Sequence, residues 1–226
     1  MIEQILKEVF SLKMNSKQRN IDVDVEEKTE PFVLSDANSC NICNENPKTK
    51  YRTDCNREIL KINNSEVPLI IVNYEKYISQ FNISTGKCDY IITERGNLHE
   101  KIVFCELTCS NEIYVEPNDG IYPEGKRAKA RKQMTESIKH FVSQQGVIEQ
   151  YILTFPEKIC IFGWRDYEAT HNSNDEEVKR NLGNMQIFKK ISDKITQDVQ
   201  IEDNIMNHGF KFVQIKYPTE YKWRNK

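Results

Sequence analysis

The chain predicts an α/β fold with a mixed central sheet flanked by helices, on three observations. Apolar runs of strand length recur between Ile59 and Phe162 and again at Phe210–Ile215. Two of them, residues 87–93 and 101–108, flank a polar turn at residues 94–100 and read as a hairpin. An amphipathic helix follows, with Met134, Ile138, Phe141 and Val142 on one face at spacings of three and four. Strands alternating with helices in one chain require a sheet that buries its faces under helices.

The remaining elements follow in order. Ile2, Ile5, Leu6, Val9 and Phe10 fall at helical spacing and open the chain with a short amphipathic helix. Residues 13–31 are polar and mostly charged and read as a connection, and Val33-Leu34 is a brief apolar touch. Residues 35–60 form a loop-rich cysteine-bearing insertion, which gives way to strands at Ile59–Ile62 and Pro68–Val72. After the hairpin, Gly125 precedes the helix. Tyr151–Thr154 and Ile159–Phe162 read as strands, residues 165–181 as a loop, and Asn184–Val199 as a helix with Met185, Phe188, Ile191 and Ile195 inward. Phe210–Ile215 alternates like a closing strand.

At 226 residues the chain suits a single domain, 1–226, with the 35–60 insertion inside it. Lys and Arg number 32 against 34 Asp and Glu, so a nucleic-acid partner would need a local basic patch rather than a global charge. No apolar run approaches the roughly 20 residues of a membrane span, so no membrane partner is expected. The first residues, Met1–Lys7, lack a signal-peptide pattern. Seven cysteines, an odd number, in a lysine-rich chain suit a reducing compartment, and the expected location is cytoplasmic.

Each hairpin strand carries one acid, Asp89 at the start of the first and Glu106 at the end of the second. Carboxylates from adjacent strands can meet at one end of a hairpin and hold a divalent metal. Magnesium wants hard oxygen ligands, keeps several waters and takes only one or two protein carboxylates. Such an ion neutralises a phosphodiester and activates a water. The carbonyl of Leu107 would add a ligand if the strand ends there.

Cys88-Asp89-Tyr90-Ile91-Ile92 resembles the first motif of the PD-(D/E)XK nuclease superfamily, and Phe104-Cys105-Glu106-Leu107-Thr108 resembles its Glu-X-Lys strand. The helix that follows, with Gln133 in its middle, is similar to the one that superfamily places there, and the resemblance covers residues 60–165. It implies a restriction-endonuclease-like fold and a Mg- or Mn-dependent nuclease, a phosphodiester hydrolase acting on DNA, or a subunit derived from one. Antiviral defence against foreign DNA is the setting it implies. A protein partner or homo-oligomer is a separate expectation. Thr108 stands where the family has a lysine that orients the attacking water, and threonine carries no charge. Members of the superfamily move this lysine to neighbouring elements. Lys126 and Lys129 on the next helix are the candidate catalytic cations, ahead of Lys101 and Lys87. The alternative reading is a catalytically inactive relative that serves as a protein-interaction or nucleic-acid-binding subunit.

Three further features carry possible chemistry. Cys40, Cys43 and Cys55 have a spacing that can grip a structural zinc, with a fourth ligand from Cys88, Cys105, Cys109 or a histidine, or they are ordinary thiols. Cys105 packs as a small apolar residue rather than acting as a nucleophile. Lys126, Arg127, Lys129, Arg131 and Lys132 place five cations in the first turns of the helix, a candidate phosphate-contacting surface or a solvated face. The tail interleaves Tyr217, Tyr221 and Trp223 with basic residues and reads equally as a single-strand-binding surface or a packed C-terminal strap.

Overall fold

A computed structural model describes residues 2–14, 21–35, 58–81, 83, 86–96, 99–110, 112–117, 123–166, 196–197 and 207–224. The N-terminal helix, α1, is α-helical at Ile2–Gln4 and Ser11–Met14 and π-wound over Ile5–Phe10, with Leu6 and Phe10 fully buried. The strands are β1 (Val25–Lys28), β2 (Phe32–Ser35), β3 (Glu58–Asn63), β4 (Leu69–Asn73), β5 (Tyr90–Glu94) and β6 (Lys101–Ser110). They continue with β7 (Glu157–Asp166), β8 (Thr196–Gln197), β9 (Phe210–Lys216) and β10 (Glu220–Lys222). Helix α2 (Tyr74–Ser79) follows β4, and α3 (Lys126–Val142) and α4 (Val147–Leu153) connect β6 to β7.

Seven strands form one sheet in the order β1-β4-β5-β6-β7-β9-β8. β4, β5 and β6 are an antiparallel meander, and β6, β7 and β9 run parallel, so the sheet is mixed as the sequence predicts. Side chains alternate between its faces. Ile91, Ile102, Phe104, Cys160, Phe162 and Phe212 pack under the helices against Phe10, Met134 and Phe141. Ile92, Val103, Cys105, Ile161 and Val213 pack on the other face against the three-stranded sheet β10-β3-β2. Gly163 allows that second sheet its close approach, since a Cβ there would lie 2.8 Å from Leu107 Cδ2 and 3.2 Å from Leu60 Cβ. Among the described residues no helix is long and apolar enough to cross a membrane.

Several elements differ from expectation. Tyr151–Thr154 is not a strand: Tyr151–Leu153 belong to α4 and Thr154 caps it, because Ile148, Tyr151 and Ile152 recur at helical spacing and are buried while Leu153 is exposed. The charged connection at 13–31 contains β1, an edge strand that contributes backbone bonds to β4 and leaves its charges at the rim. β6 runs on to Ser110 and β7 to Asp166, each longer than its apolar run. Helix α2 is unannounced because it is only six residues long, capped by Asn73, whose side chain accepts the Lys76 N–H at 3.1 Å. Of the helix expected over 184–199, only Thr196–Gln197 is described, and it is strand β8 paired with β9. Cys40, Cys43, Cys55 and nearly all of the expected 35–60 insertion lie outside the described residues.

Candidate metal centre

Tyr90 pairs with Cys105 in the β5–β6 ladder, so Asp89 and Glu106 each lie one residue beyond that pair at the same end of the hairpin. Asp89 precedes β5 rather than opening it, and Glu106 lies inside β6 rather than closing it. Two residues on from each, Ile91 and Phe104 face the helices, so both carboxylates belong to that face. Asp89 is half-buried and Glu106 is 9 % exposed.

Asp89 is held at every polar group of its backbone and at its side chain. Its N–H donates to Cys105 O at 2.9 Å, and its carbonyl accepts the Tyr74 and Glu75 N–H groups of α2 at 2.9 and 3.2 Å. Its Oδ2 accepts the Leu107 N–H at 2.7 Å. In a strand, N–H and C=O of one residue point to the same side, so the Leu107 carbonyl also faces the Asp89 side, although β6 does not end there. Helix α3 fastens the approach to Asp89. Ser137 Oγ accepts the Cys88 N–H at 2.8 Å, and Gln133 Nε2 donates to Lys87 O at 3.1 Å. A Cβ on Gly86 would lie 3.1 Å from Gln133 Cγ, so this segment lies flat on the helix.

α3 begins where it does because Gly125 adopts φ +74° and sits against the chain after β6. A Cβ there would lie 2.7 Å from both Glu116 C and Pro117 N, a contact no L side chain tolerates. The Arg127 N–H then donates to Val115 O at 3.0 Å. The first turns of α3 are thereby fixed beside the C-terminal end of β6.

The thiols around the carboxylates are inert. Burial pushes Cys88 well up, partly offset by its hydrogen-bonding contact with Ser137, with the charges of Glu106 and Asp89 adding to the rise. Burial likewise raises Cys105, with Asp89 among the charges that add to it. A nucleophilic cysteine needs the opposite shift, and both side chains pack as small apolar residues. Cys88 and Cys105 are thus buried in different core clusters, on opposite faces of the sheet.

Of the five cations on α3, Arg127 pairs with Glu116 at 2.8 Å and Lys132 pairs with Glu124. Arg131 lies over the Phe212 ring, 5.7 Å from guanidinium carbon to centroid. Lys126 is half-buried and Lys129 exposed on the first turns. Lys101 is committed elsewhere. At the opposite end of β6 it donates to Trp223 O and pairs with Glu157 at 2.9 Å. Lys87 donates to the Ser79 hydroxyl at the end of α2.

No family model, curated protein or solved structure matches this chain. The centre is therefore read from its own chemistry. Among the described residues no three or more His, Cys, Asp or Glu side chains gather as a metal-holding group. A cation at this end of the hairpin would rest on the two carboxylates, with the Leu107 carbonyl and water completing its shell. That ligand count suits magnesium or manganese better than zinc.

One group near the centre, Lys216, belongs in the sequence only to the basic and aromatic tail. Across the parallel strands Glu106 is level with Phe162 and Gln214, and Thr108 is level with Trp164 and Lys216. Alternation in β9 puts Phe210, Phe212, Gln214 and Lys216 on one face, but only the register brings Lys216 level with Thr108. The aromatic tail also resolves. Tyr221 and Trp223 are buried, and β10 pairs in parallel with β3, so this segment is a packed strap.

Proposed function

We propose that the chain carries a divalent-metal-dependent phosphodiesterase centre of the PD-(D/E)XK kind, acting on DNA, with Asp89 and Glu106 as ligands for magnesium or manganese. The observation that carries this reading is the register that sets the two acids level with each other on one face at the same end of the β5–β6 hairpin, with the Asp89 carboxylate anchored by the Leu107 N–H at 2.7 Å. The arrangement of the sheet supports it: β4, β5 and β6 form an antiparallel meander, with α2 between β4 and β5, and after α3 and α4 strand β7 returns parallel to β6, comparable with the core of a restriction-endonuclease-like fold. A bound ion would polarise a phosphodiester oxygen and lower the pKa of a ligated water. That water's oxygen would form a new bond to phosphorus as the bond to the leaving oxygen breaks, its proton passing to solvent and the leaving oxygen taking a proton from solvent. Lys126, Lys129 and Arg131, from the adjacent turns of α3, would contact the nucleic-acid backbone, and Lys126 or Lys129 would act as the catalytic cation. Antiviral defence is the setting implied by analogy with the family.

Thr108 favours one second reading, a relative that has lost cleavage and keeps the fold as an interaction subunit. Metal-dependent nicking of supercoiled plasmid, and cleavage of single-stranded DNA, separate the two. The enzyme reading expects activity with manganese that falls by orders of magnitude in Asp89→Ala and in Glu106→Ala, and in one of Lys126→Ala or Lys129→Ala. A wild type that cleaves neither substrate, together with a Thr108→Lys variant that gains nothing, favours the interaction subunit.

A further inference from the structure

We propose that Lys216, Trp164 and Thr108 form an oxyanion-binding site for a nucleic-acid phosphate beside the carboxylate pair, with Lys216 supplying its positive charge. The proposal rests on the phosphodiesterase reading for the identity of the anion, and it adds a phosphate-binding charge to the catalytic cation on α3.

The three residues form one row across β6, β7 and β9, on the face that carries Asp89 and Glu106 and one alternation beyond Glu106. Lys216 starts two strand spacings from Thr108, about 9.5 Å. Its side chain folds back over the strand between them. The ammonium lies 4.5 Å from the centroid of the Trp164 ring and 3.2 Å from Glu112 Oε1, and Glu112 belongs to the short turn that follows β6. The amine has therefore crossed from β9 toward the end of β6 where Thr108 lies. It is 10 % exposed, so its charge is little screened by solvent.

A second observation points the same way. Trp164 is 2 % exposed, and its indole N–H is buried without an acceptor among the described residues. A buried donor left unsatisfied is destabilising, and native structures carry few of them. A buried indole N–H and an ammonium on one aromatic platform, with a hydroxyl level with them on the neighbouring strand, are three donors suited to an oxyanion. Glu112 then acts as the resident counter-charge, which an arriving phosphate displaces from Lys216. A phosphate so held would lie beside a metal on Asp89 and Glu106, where positive charge matters to the reaction.

The test is fluorescence anisotropy of labelled single-stranded and duplex DNA oligonucleotides with calcium present, with inorganic phosphate as competitor. Lys216→Met keeps the aliphatic stem over Trp164 and removes the charge. The expected result is a loss of affinity of about tenfold or more, the size of one charge-assisted hydrogen bond. Lys216→Arg should restore most of it, Trp164→Phe should weaken binding, and Glu112→Gln should tighten it. Unchanged affinity in a folded Lys216→Met, or a wild type that binds neither oligonucleotide nor phosphate, overturns the proposal. Should Lys216→Met fail to fold, Glu112→Gln decides by the sign of its effect. A manganese-induced rise in melting temperature, measured in parallel, reports on Asp89 and Glu106 alone. If that rise persists while Lys216 proves irrelevant, the phosphodiesterase reading stands and the oxyanion site falls. If Lys216 governs affinity but manganese has no effect, the site binds phosphate and the metal reading falls.

Discussion

The hydroxyl of Ser137 accepts the backbone N–H of Cys88 at 2.8 Å, which ties the residue before Asp89 to the middle of α3. Gln133, one turn earlier, holds Lys87 O at 3.1 Å. The helix thus sets the position of a candidate metal ligand through the backbone before it. Ser137→Ala leaves a buried N–H unsatisfied, at a cost of about 1–3 kcal/mol. Urea denaturation should show a lower midpoint, and manganese affinity should fall with it. An unchanged midpoint would mean the contact contributes nothing.

The C-terminal strap should be a major source of stability. Trp223 is fully buried, its indole N–H donates to Glu94 Oε1 at 3.0 Å, and its backbone N–H donates to Asn63 O at 2.8 Å. Lys101 donates to its carbonyl and lies 5.3 Å from its ring. Trp223→Ala should cost about 3–5 kcal/mol, the range for emptying a large buried aromatic site, read as a drop in thermal midpoint. Its oligonucleotide affinity, measured well below that midpoint, should match wild type, since the ring stacks on the protein and not on a base.

His140 gives the fold a pH dependence. Its Nδ1 lies 3.1 Å from the Tyr74 hydroxyl, and burial lowers its pKa from the usual 6.5, opposed by the nearby Glu136 carboxylate. A base with a depressed folded pKa binds fewer protons folded than unfolded between the two values. Its contribution is therefore intact above pH 6.5 and is lost as pH falls from 6.5 toward the folded value. Chemical denaturation between pH 7.5 and 5 should show wild type losing more stability than His140→Gln. Parallel curves for the two proteins would remove His140 as the cause.

The hairpin at residues 87–108 was legible because its two apolar runs are strongly patterned and the turn between them is polar. Helix α3 was legible for the same reason, since Met134, Ile138 and Phe141 repeat at helical spacing. Tyr151 and Ile152 misled because β-branched and aromatic residues carry strand propensity, while the burial of Ile148 with them is a helical signal spread over seven residues. β1 was hidden by its charges, which an edge strand tolerates. In the site, Asp89 and Glu106 are close in sequence and their strands adjoin, so local pattern suffices to bring them together. Lys216 was out of reach, because its place level with Thr108 depends on two parallel registers joining segments about a hundred residues apart. Such registers leave no local trace in composition.

The central claim is that Asp89 and Glu106 hold a divalent ion, and calorimetric titration of manganese into the metal-free protein tests it most directly. The account predicts one saturable site in the wild type that disappears in Asp89→Asn and in Glu106→Gln, with both variants keeping the wild-type circular dichroism spectrum. Equal manganese binding by the wild type and both folded variants, or no binding by the wild type, would contradict it.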